Sequence, residues 1–263
     1  MADLTGKVAL ITGANSPGGI GFNIAQQLSN KGAKVYIGAR TAQKARAGID
    51  ALKEANPKAE ALPFVADMAD LKQVKAAAAQ LLESANRLNI LVHNAALSRP
   101  PEEHSNYDVS LNYAVKRGRS ITRRKIPSTP SPTPLLRACD FFITASKLAN
   151  ILFTKQLQKL FDTEGIPAVA LVVDPGNVCT DGSRIFLGEE MANQLPYRPL
   201  DGAATSLFAA AAPEVWAEKE QYAGAYLVPF GKIAPGSELA REDILAQKLW
   251  NLSERVVDEV LAN

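Results

Sequence analysis

The chain has 263 residues, 47% of them hydrophobic, with 29 basic and 27 acidic side chains. This length and composition suit one α/β domain that buries a substantial core. The nearly even charge gives no general attraction for nucleic acid or for an anionic membrane. Two cysteines, Cys139 and Cys179, predict neither a disulfide framework nor a metal site. No apolar run suits a signal peptide or a membrane span, so we expect a soluble, cytoplasmic protein without a membrane span.

Apolar runs of strand length alternate with segments of helical periodicity along most of the chain. This alternation predicts right-handed crossovers and a parallel sheet, so we expect a Rossmann-like doubly wound α/β fold formed by a single domain over residues 1–263. Strands are predicted over 7–12, 33–39, 61–68, 88–96, 166–176 and 221–231, and helices over 22–32, 41–55, 70–85, 147–161 and 242–262.

One segment interrupts the alternation. Between Tyr113 and Arg137 the chain has seven basic residues, no acidic residue and four prolines. Proline disrupts both helices and central strands, so an irregular, basic, Pro-rich segment is predicted over 113–140. A nucleic-acid surface is not favoured because no aromatic residues alternate with the charges. A segment altered by a gene-model or splicing error remains an alternative.

A glycine-rich turn, "TGANSPGGIG" (12–21), follows the first strand and opens the first helix. Glycines let the backbone approach a pyrophosphate closely, and the N–H groups of the helix N-terminus provide an anion site. The strand–turn–helix context therefore predicts a dinucleotide cofactor site.

Several motifs resemble those of the short-chain dehydrogenase/reductase family. They are the turn with Gly13, Gly19 and Gly21, "HNAA" (93–96) and "DPGNVCT" (174–180). "SKLANILFTKQL" and "LAQKLWNLSE" are similar to the retinol-dehydrogenase-like and fungal secondary-metabolism branches. The resemblance covers roughly residues 5–112 and 141–260. It implies an oxidoreductase that acts on a carbonyl or alcohol of a small, largely apolar metabolite.

The cofactor is expected to be NADP(H). Arg40 ends the second strand, where an NAD-preferring protein would carry an acidic residue, and Lys44 follows one helical turn later. A guanidinium can bind a 2′-phosphate in a bidentate manner. No metal is expected, because the two histidines, His93 and His104, have no clustered ligands. By resemblance, the other cofactor-binding residues are Ser16 and Ile20 in the turn, Asp67 at the adenine, Asn94 at the adenosine ribose, Val178 and Thr180 at the carboxamide, and Lys147 at the nicotinamide ribose.

The catalytic residues are incomplete relative to the family. Lys147, which we expect to be buried, and Asn112 occupy family positions, but Ile143 stands where the family has its proton-donating tyrosine. The strand that carries the family's serine is also absent from the sequence. Three interpretations stay open: an oxidoreductase with an atypical proton donor, a cofactor-binding protein without redox activity (a sensor, scaffold or cyclisation template), and an inactive product of a disturbed gene model. The partner is a small-molecule substrate and not nucleic acid; a homo-oligomer is left open.

Overall fold

The computed structural model of the protein describes residues 1–85, 87–96 and 134–262, the last range with side chains from residue 145 onward. Strands β1 to β4 form a parallel sheet in the order β3-β2-β1-β4. Strands β5 and β6 pair in parallel, and β7 joins β6 in antiparallel orientation. The strands are β1 (Val8–Thr12), β2 (Lys34–Ala39), β3 (Ala61–Val65), β4 (Ile90–Val92), β5 (Val172–Val173), β6 (Tyr226–Val228) and β7 (Lys232–Ala234).

Helices follow the strands as the sequence pattern predicts, with additional short helices after β5. They are α1 (Ile20–Asn30), α2 (Ala42–Ala55), α3 (Leu71–Ser84), α4 (Pro134–Thr163), α5 (Asp181–Leu187), α6 (Glu189–Asn193), α7 (Pro199–Ala211), α8 (Pro213–Ala217), α9 (Lys219–Tyr222) and α10 (Asp243–Ala262), with a 3₁₀ turn at Leu239–Arg241. No helix in the described ranges is long and apolar enough to cross a bilayer.

The main core lies between the four-stranded sheet and the helices α1, α2 and α7. Ile11 and Ile37 from the central strands, together with Ile24 and Leu28 from α1, have no exposed surface. Helix α7 contributes small residues such as Ala203, which is also fully buried. Strands covered on both faces need continuous apolar sequences, and the runs of β1 and β2 provide them. The predicted α/β fold with a parallel sheet in a single domain is confirmed.

Helix α4 is held by the C-terminal helix α10. The rings of Phe153 and Trp250 stack with centroids 4.9 Å apart. Lys155 Nζ lies 3.1 Å from Asp243 Oδ1. The hydrogen bond and charge of Lys155 lower the pKa of the Asp243 carboxyl below its ordinary value. These contacts fix the half of α4 that follows Lys147.

The extents of several predicted elements need correction. The predicted strands over 88–96, 166–176 and 221–231 are longer than the strands that form, Ile90–Val92, Val172–Val173 and Tyr226–Val228. The predicted irregular segment is wrong over 134–140, because α4 begins at Pro134. Proline is tolerated in the first turn of a helix, where its missing N–H would have no partner in the helix. The rest of that segment, 113–133, and Asn112 lie outside the described residues.

Candidate functional site

The glycine-rich turn forms a cradle at the carboxyl end of β1. Gly13 has φ +67°, and a Cβ there would lie 2.9 Å from Ala95 Cα. A Cβ on Gly21 would overlap the Asn94 amide and lie 2.8 Å from the Gly13 carbonyl oxygen. Gly19 is the N-cap of α1, and no side chain caps that end of the helix. The turn therefore combines close backbone packing with the N-terminus of an 11-residue helix, the arrangement that suits a bound diphosphate.

Asn94 and Thr12 lock this cradle to the end of β4. The Thr12 hydroxyl accepts hydrogen bonds from the N–H groups of Asn94 (3.1 Å) and Ala95 (3.0 Å). Asn94 Nδ2 donates to the carbonyl oxygens of Thr12 (3.0 Å) and Gly13 (3.2 Å). The sequence reasoning anticipated Asn94 but missed Thr12. Thr12 could have been recognised as a hydroxyl residue that ends a buried strand directly before the first glycine of the turn.

Two cations lie where β2 meets α2. Arg40 follows β2 directly, and the Thr41 side chain caps α2 by accepting from the Lys44 N–H at 3.3 Å. The side chains of Arg40 and Lys44 are exposed, and neither forms an ion pair with any residue that the structure describes. Their charges are therefore available to an anionic group of a ligand at this sheet edge.

Asp67 lies just beyond the neighbouring strand, β3. One of its carboxylate oxygens accepts from the Ala69 N–H at 3.0 Å, and its own N–H donates to Gln73 Oε1 at 3.2 Å. Because β2 and β3 are adjacent parallel strands, Asp67 and Arg40 meet the same edge of the sheet. Together they flank the site at which the resemblance places adenosine.

Ile20 and Val178 come together around Gly202 of α7. A Cβ on Gly202 would lie 2.6 Å from Val178 Cγ2 and 3.3 Å from Ile20 Cδ1. Thr180 accepts from the Ser183 N–H at 3.0 Å and thereby caps α5. Residues from both halves of the chain thus meet in one site, beside the N-terminus of α1. Gly202, which permits this approach, was not recognised from the sequence.

Asp174 fixes the start of the loop that carries Val178 and Thr180. Asp174 accepts from the Gly176 N–H at 2.7 Å and from the Tyr226 hydroxyl at 3.1 Å. Burial, followed by the charge of Asp174, raises the pKa of the Tyr226 phenol above its ordinary value. The phenol therefore stays protonated and keeps donating to Asp174 at neutral pH.

Asp181, the first residue of α5, touches the glycine-rich turn. Ser16 Oγ donates a hydrogen bond to Asp181 Oδ2, and the Asp181 N–H donates to the Gly18 carbonyl at 3.2 Å. A side chain on Gly18 would overlap the Asp181 carboxylate. The structure thus brings Ser16 to the predicted site, with a carboxylate as its partner that the sequence reasoning did not anticipate.

Lys147 is placed on α4 and is exposed, whereas Ser146 beside it is 1% exposed. The expectation that Lys147 is buried was wrong, because the helix turns the neighbouring Ser146 and Ala149 inward instead. Ile143 lies one turn earlier on the same helix. Asn112, the other predicted catalytic residue, falls outside the described residues. Within the described ranges, no three His, Cys, Asp or Glu side chains are grouped so as to hold a metal ion.

Comparison with known proteins identifies the family. The family model described as "short chain dehydrogenase" matches residues 7–115. A short-chain dehydrogenase/reductase from Armillaria gallica is 33% identical over 308 residues, which covers 98% of this chain and 95% of the relative. The chain belongs to the short-chain dehydrogenase/reductase family. A Gibberella zeae member is 33% identical over 97% of this chain and 83% of its own length, and mouse retinol dehydrogenase 12 is 28% identical over 95% and 86%.

Solved structures of this family share the fold. A mutant short-chain dehydrogenase/reductase from Serratia marcescens has a TM-score of 0.63 at 23% identity, covering 86% of this chain and 97% of its own. A short-chain dehydrogenase from Burkholderia cenocepacia, solved in complex with NADP, has a TM-score of 0.60 at 22% identity, covering 86% and 94%. At these identities the likeness establishes the fold alone.

The alignments also show that this short-chain dehydrogenase/reductase is shorter than its relatives across the matched region. The alignment with the Armillaria gallica protein extends over 308 residues, whereas this chain has 263, so at least 45 aligned positions have no counterpart here. The family model stops matching at residue 115, close to residue 112, where the sequence resemblance first lapses. The absence of the serine strand stays a prediction from the sequence.

Proposed function

We propose that the protein is an NADP(H)-dependent oxidoreductase that acts on a carbonyl or alcohol group of a small, largely apolar metabolite. Membership of the short-chain dehydrogenase/reductase family supports the reaction type. The observation that carries the cofactor choice is the pair of exposed cations Arg40 and Lys44, between the end of β2 and the first turn of α2, which form no ion pair with a described residue. An acidic residue at the end of this strand would favour NAD(H), and a guanidinium favours the 2′-phosphate of NADP(H).

The residues present fit this cofactor along its whole length. The turn from Gly13 to Gly21 would cradle the diphosphate against the N-terminus of α1, and Asp67 would accept from the adenine amino group. Asn94 would hold the turn in place beneath the adenosine ribose. At the other end, Ile20, Val178 and Thr180 would hold the nicotinamide, whose C4 supplies or accepts the hydride when the cofactor is bound.

Lys147 would bind the nicotinamide ribose through its exposed ammonium, as in the family. With Ile143 at the tyrosine position, we propose a water molecule on Lys147 as the proton source. Ser146 also carries a hydroxyl on this helix, but its side chain is buried, at 1% exposure, and would not reach a substrate. General acid–base catalysis contributes about 10²–10⁴ in rate, so we expect slow hydride transfer.

The relatives support a metabolic setting for the substrate. Fungal short-chain dehydrogenase/reductases of Armillaria gallica, Gibberella zeae and Colletotrichum higginsianum are all 31–33% identical to this chain. We place the reaction in fungal secondary metabolism, in the cytoplasm, on a small-molecule substrate and without nucleic acid. The residue pattern leaves a homo-oligomer open.

A second candidate is a cofactor-binding protein without redox activity, or an inactive product of a disturbed gene model. The observation that favours it is the loss of at least 45 aligned positions relative to the Armillaria gallica protein, together with Ile143 at the tyrosine position. The cofactor cradle would survive this loss, since Gly13, Asn94 and Val178 are present and come together in the described residues. Sequencing the transcript across codons 105–145 would test for a disturbed gene model.

Cofactor titration tests the main proposal. NADPH should bind more tightly than NADH, and Arg40→Asp should remove most of that preference. A hydrogen bond to a charged group is worth about 1.5–3 kcal/mol, so the Kd for NADPH should rise at least about tenfold. Arg46→Asp makes the same charge change on α2, which begins two residues after Arg40, and should leave the preference intact, because Arg46 pairs with Asp50.

Equal affinities of the wild type for NADPH and NADH would contradict the cofactor assignment. Oxidation of NADPH with a panel of apolar ketones then separates the two candidate functions. Turnover that tracks enzyme concentration supports the oxidoreductase. Tight binding with no turnover supports the non-redox alternative.

A further inference from the structure

The contact between Asp181 and the glycine-rich turn places a carboxylate where the proposed function needs a phosphate. Ser16 Oγ donates to Asp181 Oδ2, and the carboxylate packs against Gly18 so closely that a Cβ there would overlap it. A glycine in this turn lets a diphosphate approach the backbone closely, and the Asp181 carboxylate approaches Gly18 in the same way. The adjacent N-cap, Gly19, leaves the N-terminus of α1 without a side-chain cap.

We propose that Asp181 is an internal competitor of the cofactor, and that the diphosphate of NADP(H) binds only by displacing the Asp181 carboxylate from Ser16 and Gly18. This inference rests on the proposed function, since it assumes a dinucleotide in the cradle. It adds that the chain sets its own cofactor affinity with a residue that is not a ligand of the cofactor.

The hydrogen-bonding capacity of serine makes the two states mutually exclusive. A serine hydroxyl has a single hydrogen to donate, and the Ser16 hydroxyl donates it to Asp181. A diphosphate oxygen at the same hydroxyl has to replace the carboxylate as acceptor. The two anions would also repel each other if both stayed at the turn, and this repulsion grows as water is excluded.

Displacement of the carboxylate requires only a local change. Asp181 is exposed, so its carboxylate can turn into water without desolvation. Helix α5 keeps its N-terminal cap, because the hydrogen bonds between Thr180 and Ser183 do not involve Asp181. The loop that carries Val178 and Thr180 can therefore stay in place to receive the nicotinamide while the Asp181 carboxylate turns away and its N–H keeps its bond to the Gly18 carbonyl.

The test measures the Kd for NADPH with Asp181→Ala and Asp181→Asn. Both variants should bind about tenfold more tightly than the wild type, a difference of about 1.4 kcal/mol. Glu190→Gln is the matched control: it removes one negative charge from the first turn of the adjacent helix α6 and should change the Kd by less than about twofold, as expected for a water-screened charge.

Two further measurements show whether the gain comes from the diphosphate site. Adenosine 2′-monophosphate carries no diphosphate, so the wild type and Asp181→Ala should bind it equally. In a Ser16→Ala background, where the hydroxyl no longer holds the carboxylate, the gain from Asp181→Ala should be smaller than in the wild-type background.

The outcomes distinguish the inference from the proposed function. If the wild type binds NADPH and neither Asp181 variant exceeds the Glu190→Gln control, the competition is refuted while the proposed function stands. An equal gain for adenosine 2′-monophosphate would also refute it. If neither the wild type nor any variant binds NADPH or NADH, both the proposed function and the competition are wrong.

Discussion

Replacement of Asn94 by Asp should disrupt the glycine-rich cradle, because it exchanges the donor of two hydrogen bonds for an acceptor. Asn94 Nδ2 donates to two carbonyl oxygens, those of Thr12 at 3.0 Å and Gly13 at 3.2 Å. In Asn94→Asp an oxygen replaces this nitrogen, so an acceptor would face two acceptors. The carboxylate must then rotate away or become protonated, and the contact that holds Gly13 against β4 is lost.

The expected magnitude follows from the two hydrogen bonds. Each contributes about 0.5–1.5 kcal/mol to stability, so Asn94→Ala should lower the free energy of unfolding by about 1–3 kcal/mol. Asn94→Asp should cost at least as much near neutral pH, because two carbonyl oxygens lose their donor beside a new charge. Displacement of the turn by even a fraction of an ångström should also weaken NADPH binding, since Gly21 is packed directly against the Asn94 amide.

Urea denaturation and cofactor titration measure the two effects. Asn251→Ala is a suitable control, because its side chain accepts a single exposed hydrogen bond from Gln247 on α10, far along the chain from the turn. That variant should unfold within about 0.5 kcal/mol of the wild type, as surface substitutions usually do. An Asn94→Asp protein that unfolds and binds NADPH as the wild type does would refute the assigned role of the Asn94 amide.

Three further predictions concern helix α4 and strand β6. Lys147→Ala should raise the Kd for NADPH with no change in the urea midpoint, because the exposed ammonium has no packing role; an unchanged Kd would show that it does not reach the ribose. Ile143→Tyr adds a phenol one turn from Lys147 and should raise ketone reduction by less than about tenfold, since the sequence lacks the family's serine strand; a larger rescue in a steady-state assay would reveal another orienting group. Burial raises the pKa of Tyr226 above its ordinary value, so the phenol favours folding while it is protonated. Wild-type stability should therefore fall more steeply than that of Tyr226→Phe as the pH rises beyond 10, in urea titrations at several pH values.

The sequence was sufficient for the half of the site that is built from local patterns. Gly13, Gly19 and Gly21 could be recognised because a strand, a turn and a helix follow one another directly. Arg40 and Asp67 could be placed because each follows a predicted strand, and parallel strands end at one edge. These predictions depend only on residues that are close together in the sequence.

Contacts between distant segments could not be predicted in the same way. Ser16 and Asp181 are 165 residues apart, and no periodicity links them. Gly202 lies in a helix of small residues whose pattern gives no hint that Val178 and Ile20 meet there. The exposure of Lys147 depended on the rotation of α4, which packing against α10 helps to set. The Pro134 start of that helix was missed because proline was taken as a breaker, although it is tolerated in a first turn.

The division of the strands into two sheets has a consequence for how the protein is held together. Among the described strands, β4 pairs only with β1, and β5 pairs only with β6. The nucleotide cradle belongs to the first sheet and the loop with Val178 to the second, joined by the packing of α7 on α1 and β5. A dinucleotide that contacted both would connect the two sheets, which share no backbone hydrogen bonds between their described strands. By mass action, a cofactor at 100 times its Kd would add about 2.7 kcal/mol to the resistance of the folded chain to unfolding, and the second sheet would gain an anchor to the first.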